Sequence, residues 1–379
     1  MISAILLLPV LLSFGSPTVL RVAAAGDEVA ISQHVRSVRL LAVLSATVTG
    51  CGVLVAFPFL QSQLSSSVVL SFAIALPVCV LTGILWIGDS SVLIGRGETV
   101  QYALTLAAPS VSFAGAVTAL WATGALSVAS SLWAQVFSYV VTLALSSTFV
   151  RARLTGTKTP VLRLLRLGGR FAPGQIAEAA SYRLDQILVL PVIGAYAAGN
   201  YAISVTIALL PDFVAQVVSA AAFRQSARDH RDGATDGVRL VRLLALVGLL
   251  AAVPLAIAAP WGIELVFGTE FSDAVVPTLI GLGGAVFLAT SQGCVALLSI
   301  HGRGWLISFA QAGGLVVSIV LLFVLGPLLG ATGAAIASSI GYLLSTSVLL
   351  IGLRSRWLDL ALRPSDFKAL LAVLLGRPF

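Results

Sequence analysis

Charge is what this chain has least of. Of its 379 residues 22 are Lys or Arg and 15 are Asp or Glu, 10% in all, where soluble globular proteins carry about 25%. Hydrophobic residues make up 58% and the mean hydropathy is +1.05. That balance excludes a soluble enzyme, a nucleic-acid binder and a secreted disulfide scaffold, and leaves an integral membrane protein. Cysteine is scarce too: Cys51, Cys79 and Cys294 each fall inside an apolar run, where the thiol is read as a small buried hydrophobe. Their spacing suggests neither a disulfide framework nor a metal site, so no metal and no resident cofactor are expected. No Gly-x-x-x-x-Gly-Lys-Ser/Thr stretch occurs, which excludes ATP-driven export by this chain alone.

What is present is apolar sequence in long runs. The hydrophobic share, roughly 220 residues, suffices for about eleven helices at the ~20 residues that a bilayer core requires. Runs fall at about 1–20, 40–60, 68–88, 103–121, 127–149, 171–192, 200–222, 243–263, 274–298, 305–326 and 333–353. They are too long for membrane strands, which span with about ten alternating residues. The expected fold class is an all-α membrane protein of about eleven transmembrane helices. The first run does not read as a cleaved signal, since it lacks a basic start and Arg21 precedes the Ala23-Ala24-Ala25 stretch.

The basic residues then report orientation. The gap 21–39 holds Arg21, Arg36 and Arg39, 89–102 holds Arg96, and 150–170 holds Arg151, Arg153, Lys158, Arg163, Arg166 and Arg170. Further on, 223–242 holds Arg224, Arg228, Arg231, Arg239 and Arg242, 301–304 holds Arg303, and the tail holds Arg354, Arg356, Arg363, Lys368 and Arg377. The gaps between these (61–67, 122–126, 193–199, 264–273, 327–332) hold none. By the positive-inside rule the first set is cytoplasmic and the second external, so the N-terminus is expected outside and the C-terminus inside the cytoplasmic membrane. The net charge of +7 is therefore first a topological signal. Two stretches expected on the cytoplasmic side, Thr159–Gly169 with apolar residues set among arginines and the largely apolar Ser365–Leu375, are too short to span; they read as interfacial helices, either as plain loops that satisfy the orientation rule or as binders of lipid head groups.

The chain also repeats itself. Leu7-Leu8-Pro9 recurs as Leu209-Leu210-Pro211, Arg39-Leu40-Leu41-Ala42 as Arg242-Leu243-Leu244-Ala245, Gly95-Arg96-Gly97 as Gly302-Arg303-Gly304, and Ala129-Ser130-Ser131-Leu132 as Ala337-Ser338-Ser339-Ile340. The offsets run 202, 203, 207 and 208, and each matched pair lies on the same side of the membrane in the same direction. The halves are thus expected to be parallel pseudo-repeats, the arrangement of a two-lobed transporter. The expected organisation is an N-terminal lobe at 1–149, a basic linker with an interfacial helix at 150–170, a six-helix lobe at 171–353 and a basic tail at 354–379. Subtracting the offset from the sixth span places its counterpart before residue 1, so the halves read as 5+6 with a first helix missing.

Four charges remain at membrane depth: Glu178, Arg183 and Asp185 in the sixth span and Asp212 in the seventh. Each costs about 2.5–3.5 kcal/mol at the bilayer centre, so the sixth span must face protein or a wet cavity. At about 100° per residue Gln175, Glu178, Tyr182 and Asp185 lie within an arc of about 80° and form one polar face, from which Arg183 points away. Two readings stay open. Arg183 and Asp212, or another carboxylate, form a buried ion pair that locks helices together; or Arg183 anchors a substrate phosphate, with Gln175 and Tyr182 beside it, while Glu178, Asp185 and Asp212 bind a coupling proton or cation. Asp212 aligns with Val10, so this acid is not something both halves need in order to fold.

The C-terminal half resembles the polysaccharide transporters, or oligosaccharide flippases, of the multidrug/oligosaccharidyl-lipid/polysaccharide (MOP) exporter superfamily. The resemblance rests on Tyr182-Arg183-Leu184-Asp185, Gly199-Asn200-Tyr201-Ala202, Phe267-Gly268-Thr269-Glu270-Phe271 and Gly330-Ala331-Thr332-Gly333-Ala334-Ala335-Ile336. It implies two bundles of six helices and the flipping of a polyprenyl-diphosphate-linked saccharide, without enzymatic chemistry. Proton or sodium coupling and an association with polysaccharide-assembly membrane proteins go with it. It also implies that cavity arginines meet the diphosphate: Arg183 here, with Arg21 and Arg36 near the inner mouth. A drug exporter of the same superfamily is the alternative. A membrane glycosyltransferase or polymerase is the rival from another class, but the external gaps are short and only 264–273 is charged, with Glu264, Glu270 and Asp273.

Overall fold

The computed structural model describes residues 2–26, 28–63, 66–150, 160–182, 184–231, 237–355, 357–360, 363, 366–367 and 370; among them there is helix and no strand. Contacts divide the chain into two units, Met1–Ala172 and Pro173–Phe379. The first unit contains α1 (Ile2–Ser13), α2 (Ser16–Ala24), α3 (Glu28–Gln63), α4 (Ser66–Arg96), α5 (Thr99–Ala122), α6 (Val128–Val150) and the short α7 (Val161–Gly168). The second contains α8 (Ala172–Ser181), α9 (Leu184–Ala208), α10 (Leu210–Arg231), α11 (Gly237–Phe267), α12 (Val275–Ile300) and α13 (Gly304–Gly352).

Eight described helices are long and apolar enough to cross a membrane, nine if the bent pair α1 and α2 makes one span. Two of these are divided by a single glycine. In α13 Gly330 adopts φ 58° and ψ −133°, a conformation closed to residues with a Cβ, and in α9 Gly194 stands at φ 80° and ψ 168°. The arms of α13 run back on each other. A Cβ on Gly333 would strike the Leu325 carbonyl oxygen, one on Gly341 would lie 2.7 Å from the Gly314 carbonyl oxygen, and one on Gly314 would strike Ser345. These pairs mirror one another about Gly330, as in an antiparallel hairpin whose small residues let the backbones meet. Splitting α13 at Gly330 adds one span to that count, whereas the arm of α9 before Gly194, Leu184–Ile193, is too short to cross by itself.

The expected gaps at 193–199 and 327–332 are therefore too wide: helix continues through both, interrupted in each by a single glycine. The first run is also not one straight span. Phe14 (φ 46°) and Gly15 (φ 69°) leave the helix, Pro17 opens the next one, and the two pieces meet at 68°. Over the sixth run, expected to be continuous over 171–192, α8 ends at Ser181 with Tyr182 in a turn, and α9 begins at Leu184. Cys79 and Cys294 are buried as expected, whereas Cys51 lies on an exposed face of α3.

The repeat has a physical counterpart within each unit. Arg96, the last residue of α4, donates from Nη1 to the Val150 carbonyl at the end of α6 (2.8 Å). Arg303, just after α12, donates from Nη1 to the Gly352 carbonyl at the end of α13 (2.7 Å). Both satisfy helix-end carbonyls that lack an intrahelical partner. The first unit packs around Leu76, Cys79, Leu132 and Tyr139, with the Trp86 and Tyr139 rings 5.8 Å apart. The second packs around Val189, Tyr201, Leu322, Ala334 and Ala335.

Small-residue contact in α13 gives a first prediction. Gly333→Ala is expected to lower the thermal stability of the detergent-purified protein, because overpacking of this kind costs about 1–3 kcal/mol. Gly313, on the same helix with nothing within 4 Å of a Cβ, is the control: Gly313→Ala should melt at or above the parent temperature. Equal shifts for the two would show that the hairpin contact does not limit stability.

Candidate functional site

The second unit buries the carboxylate of Asp212 and surrounds it with donors. Asp212 sits in the first turn of α10, just after Pro211, with its own N–H donating to the Leu209 carbonyl (3.1 Å). A helix N-terminus favours an acid there, but the side chain is only 1% exposed, and an unpaired buried carboxylate is strongly unfavourable. Three side chains answer this. Tyr182 Oη donates to Asp212 Oδ2 at 2.8 Å, Gln216 Nε2 to the same oxygen at 2.7 Å, and Gln292 Nε2 to Oδ1 at 3.3 Å.

Gln292 also joins Asp212 to a second acid. Its Nε2 donates to Glu178 Oε1 at 3.1 Å, so one amide nitrogen bridges two carboxylates. The parts come from three helices. Glu178 and Tyr182 lie four residues apart on and just beyond α8, Asp212 and Gln216 four apart on α10, and Gln292 projects from α12, which packs on α9, α10, α11 and α13. The start of α8 is fixed by the Gly174 N–H donating to Ser308 Oγ (3.0 Å); a Cβ at Gly174 would lie 3.1 Å from Ser308 Cα. Glu178, Tyr182, Gln216 and Gln292 are half-buried, so the cluster reaches the surface of its unit while Asp212 does not. A water-sized cavity in the same unit is lined by Tyr201, Ser204, Ala208, Gly281, Ser338 and Tyr342.

The structure brings together three of the eight residues singled out from sequence: Glu178, Tyr182 and Asp212. Gln175 lies half-buried one turn earlier on α8. Asp185 stands in the first turn of α9. Its side chain, and all of Arg183, lie outside the described residues. Arg21 on α2 and Arg36 on α3 are half-buried and belong to the first unit.

Two members of the cluster escaped sequence reasoning. Gln216 could have been found as a residue four places after Asp212 on one helix face; Gln292, one polar residue in the run 274–298, gave no comparable signal. A further buried acid, Asp89, was assigned to the gap 89–102 but lies inside α4, 5% exposed, accepting from Ser146 Oγ at 3.1 Å with Arg39 in electrostatic reach.

Comparison with known proteins follows from this geometry. The family model described as polysaccharide biosynthesis protein matches residues 25–276, well over half of the chain. The chain belongs to the polysaccharide biosynthesis protein family. No curated protein matches it in sequence. Solved structures share its fold at low identity. A MATE protein crystallised with MaL6 is 14% identical, with 99% of this chain and 87% of that one covered at a TM-score of 0.73. An outward-facing multidrug resistance MATE family transporter of the MOP superfamily is 14% identical, over 99% and 86%, at 0.68. A MOP superfamily transporter from Pyrococcus furiosus, described by a binding pocket of reverse polarity, is 14% identical over 98% and 86% at 0.70. This member of the polysaccharide biosynthesis protein family is thus a multi-pass helical membrane protein with the fold of MOP-superfamily transporters.

Proposed function

We propose that this protein flips a polyprenyl-diphosphate-linked oligosaccharide or polysaccharide precursor across the cytoplasmic membrane by alternating access between its two lobes. The observation that carries the transport reading is the Gln292 amide bridging Glu178 and Asp212. A bundle stabilised by apolar packing has no need of two carboxylates at membrane depth, and intramembrane ionisable groups are functional by default. A proton or a sodium ion taken up at this pair offsets its charge and ties its release to the opposite face; Asp185 is the third acid in that role. Family membership supports a saccharide as cargo. Arg183 is the anchor for the diphosphate, with Tyr182 and Gln175 lining its approach and Arg21 and Arg36 gathering the head group at the inner side. The C-terminus is then cytoplasmic, and polysaccharide-assembly membrane proteins are the partners that supply and accept the lipid-linked glycan. No covalent step is involved. Drug export is the second reading, favoured by the likeness in fold to a multidrug resistance transporter.

The test is translocation of a labelled polyprenyl-diphosphate saccharide by the full chain in proteoliposomes. Arg183→Ala should slow it about tenfold or more, the loss expected for a charge-assisted bond to phosphate. Unchanged translocation in that variant would remove the anchor role. Export of organic cations with no movement of the lipid-linked glycan would establish the second reading instead.

A further inference from the structure

The transport reading leaves one surface helix of the first unit unused. On one side of α7 Leu164 and Gly168 are buried, Leu164 completely. Gly168 presses on the bend between α1 and α2. A Cβ there would strike the Phe14 carbonyl oxygen and lie 3.1 Å from the Ser16 nitrogen, and a Cβ on Gly15 would strike the Gly168 carbonyl oxygen and lie 2.9 Å from the Ala172 nitrogen. Only backbone lies between the two segments, so α7 is keyed to the bend itself.

The other side of α7 is exposed at Leu162, Arg163, Arg166 and Leu167, with Leu162 at 71%. At about 100° per residue the two arginines take the centre of this outward face and the two leucines its flanks. No Asp or Glu occurs between Glu98 and Glu178, so the surrounding sequence offers these arginines no acidic partner. Arg151, Arg153, Lys158 and Arg170 add to the same basic stretch. A basic centre flanked by leucines is the pattern of a helix that lies at a membrane surface, apolar groups at the acyl boundary and cations among phosphates.

We propose that α7 docks on the anionic lipid head groups of the leaflet next to the basic loops, and that this docking holds the bend between α1 and α2 against Gly168. The charge of the leaflet thereby acts on the shape of the first span. A helix that served only to connect the two units would be indifferent to lipid charge.

The test uses the full chain in nanodiscs of phosphatidylcholine alone and of phosphatidylcholine with phosphatidylglycerol, followed by amide hydrogen exchange. Phosphatidylglycerol is expected to slow exchange about fivefold or more, both in 161–168 and at 14–16. The pair Arg163→Gln and Arg166→Gln should abolish that slowing, and Arg163→Lys with Arg166→Lys should keep it. Equal exchange of the unmodified chain in the two lipids would overturn the proposal without recourse to any variant. So would a lipid effect that survives the glutamine pair, or its reproduction by inorganic phosphate in phosphatidylcholine discs. Slowing confined to 161–168 would overturn the link to the bend.

Discussion

Asp212→Asn is expected to leave the protein folded and to abolish ion-coupled transport, whereas Asp212→Leu should lose stability as well. The difference follows from what surrounds the carboxylate. Asn keeps one oxygen to accept from Tyr182 or Gln216, which both converge on Oδ2, but it can neither take up a proton nor carry charge. Leu leaves the Tyr182 hydroxyl and the amides of Gln216 and Gln292 without their acceptor. An orphaned buried donor costs about 1–3 kcal/mol; since the three donors are half-buried and partly reach solvent, the total should fall near the lower end of their sum, about 3–5 kcal/mol. Thermal unfolding in detergent separates the two variants, and transport under an imposed proton or sodium gradient reads the function. Transport by the Asn variant with unchanged gradient dependence would sink the coupling role of Asp212. Glu178→Gln should have the smaller effect, because Glu178 is half-buried whereas Asp212 is 1% exposed.

Much of the fold is legible in the sequence because lipid imposes long apolar runs and loop charges mark its two sides. The long apolar spans and the two related halves follow from that constraint alone. The hidden features are those decided by one residue. Gly330 reverses the chain and Gly194 kinks it without any polar loop, so a reading that looks for hydrophilic gaps finds a wider one than exists. The bend at Phe14 and Gly15 is likewise backbone conformation, announced only by Gly15 and Pro17.

The site was half legible for a related reason. Asp212 and Glu178 stand out because charge is scarce in the spans; Gln292 does not, because one amide in an apolar run carries no charge signal. Periodicity places Asp185 beside Glu178 on one ideal helix, whereas Glu178 belongs to α8 and Asp185 to α9. Asp89 was missed since it lies only seven residues before Arg96 and could be counted with the loop, although the helix continues to Arg96 and buries it.

Arg242→Ala should be among the most destabilising single changes outside the apolar cores. Arg242 near the start of α11 is 6% exposed and Asp366 in the C-terminal segment fully buried, with Nε and Oδ2 3.4 Å apart. The same Oδ2 accepts from the Arg363 N–H at 2.8 Å. Removing the arginine leaves a buried carboxylate with one backbone donor, a loss of about 3–5 kcal/mol. Replacing both charges, as Arg242→Leu with Asp366→Asn, removes the stranded ion while keeping an acceptor for Arg363, and should restore most of the stability. A buried pair can be nearly neutral against well-packed apolar groups even when breaking it is costly. Thermal unfolding measures the loss, and limited proteolysis shows its place: the single variant should become cleavable within 354–379 well below its melting temperature. The pair Arg96 and Glu98, at 4.0 Å and with side chains 16% and 33% exposed, calibrates the expectation, since Glu98→Gln should cost no more than about 1 kcal/mol. If Arg242→Ala melted no lower than Glu98→Gln, the tail would be held by its apolar contacts, such as Trp357 on Phe287 at 5.8 Å, rather than by the buried ion pair.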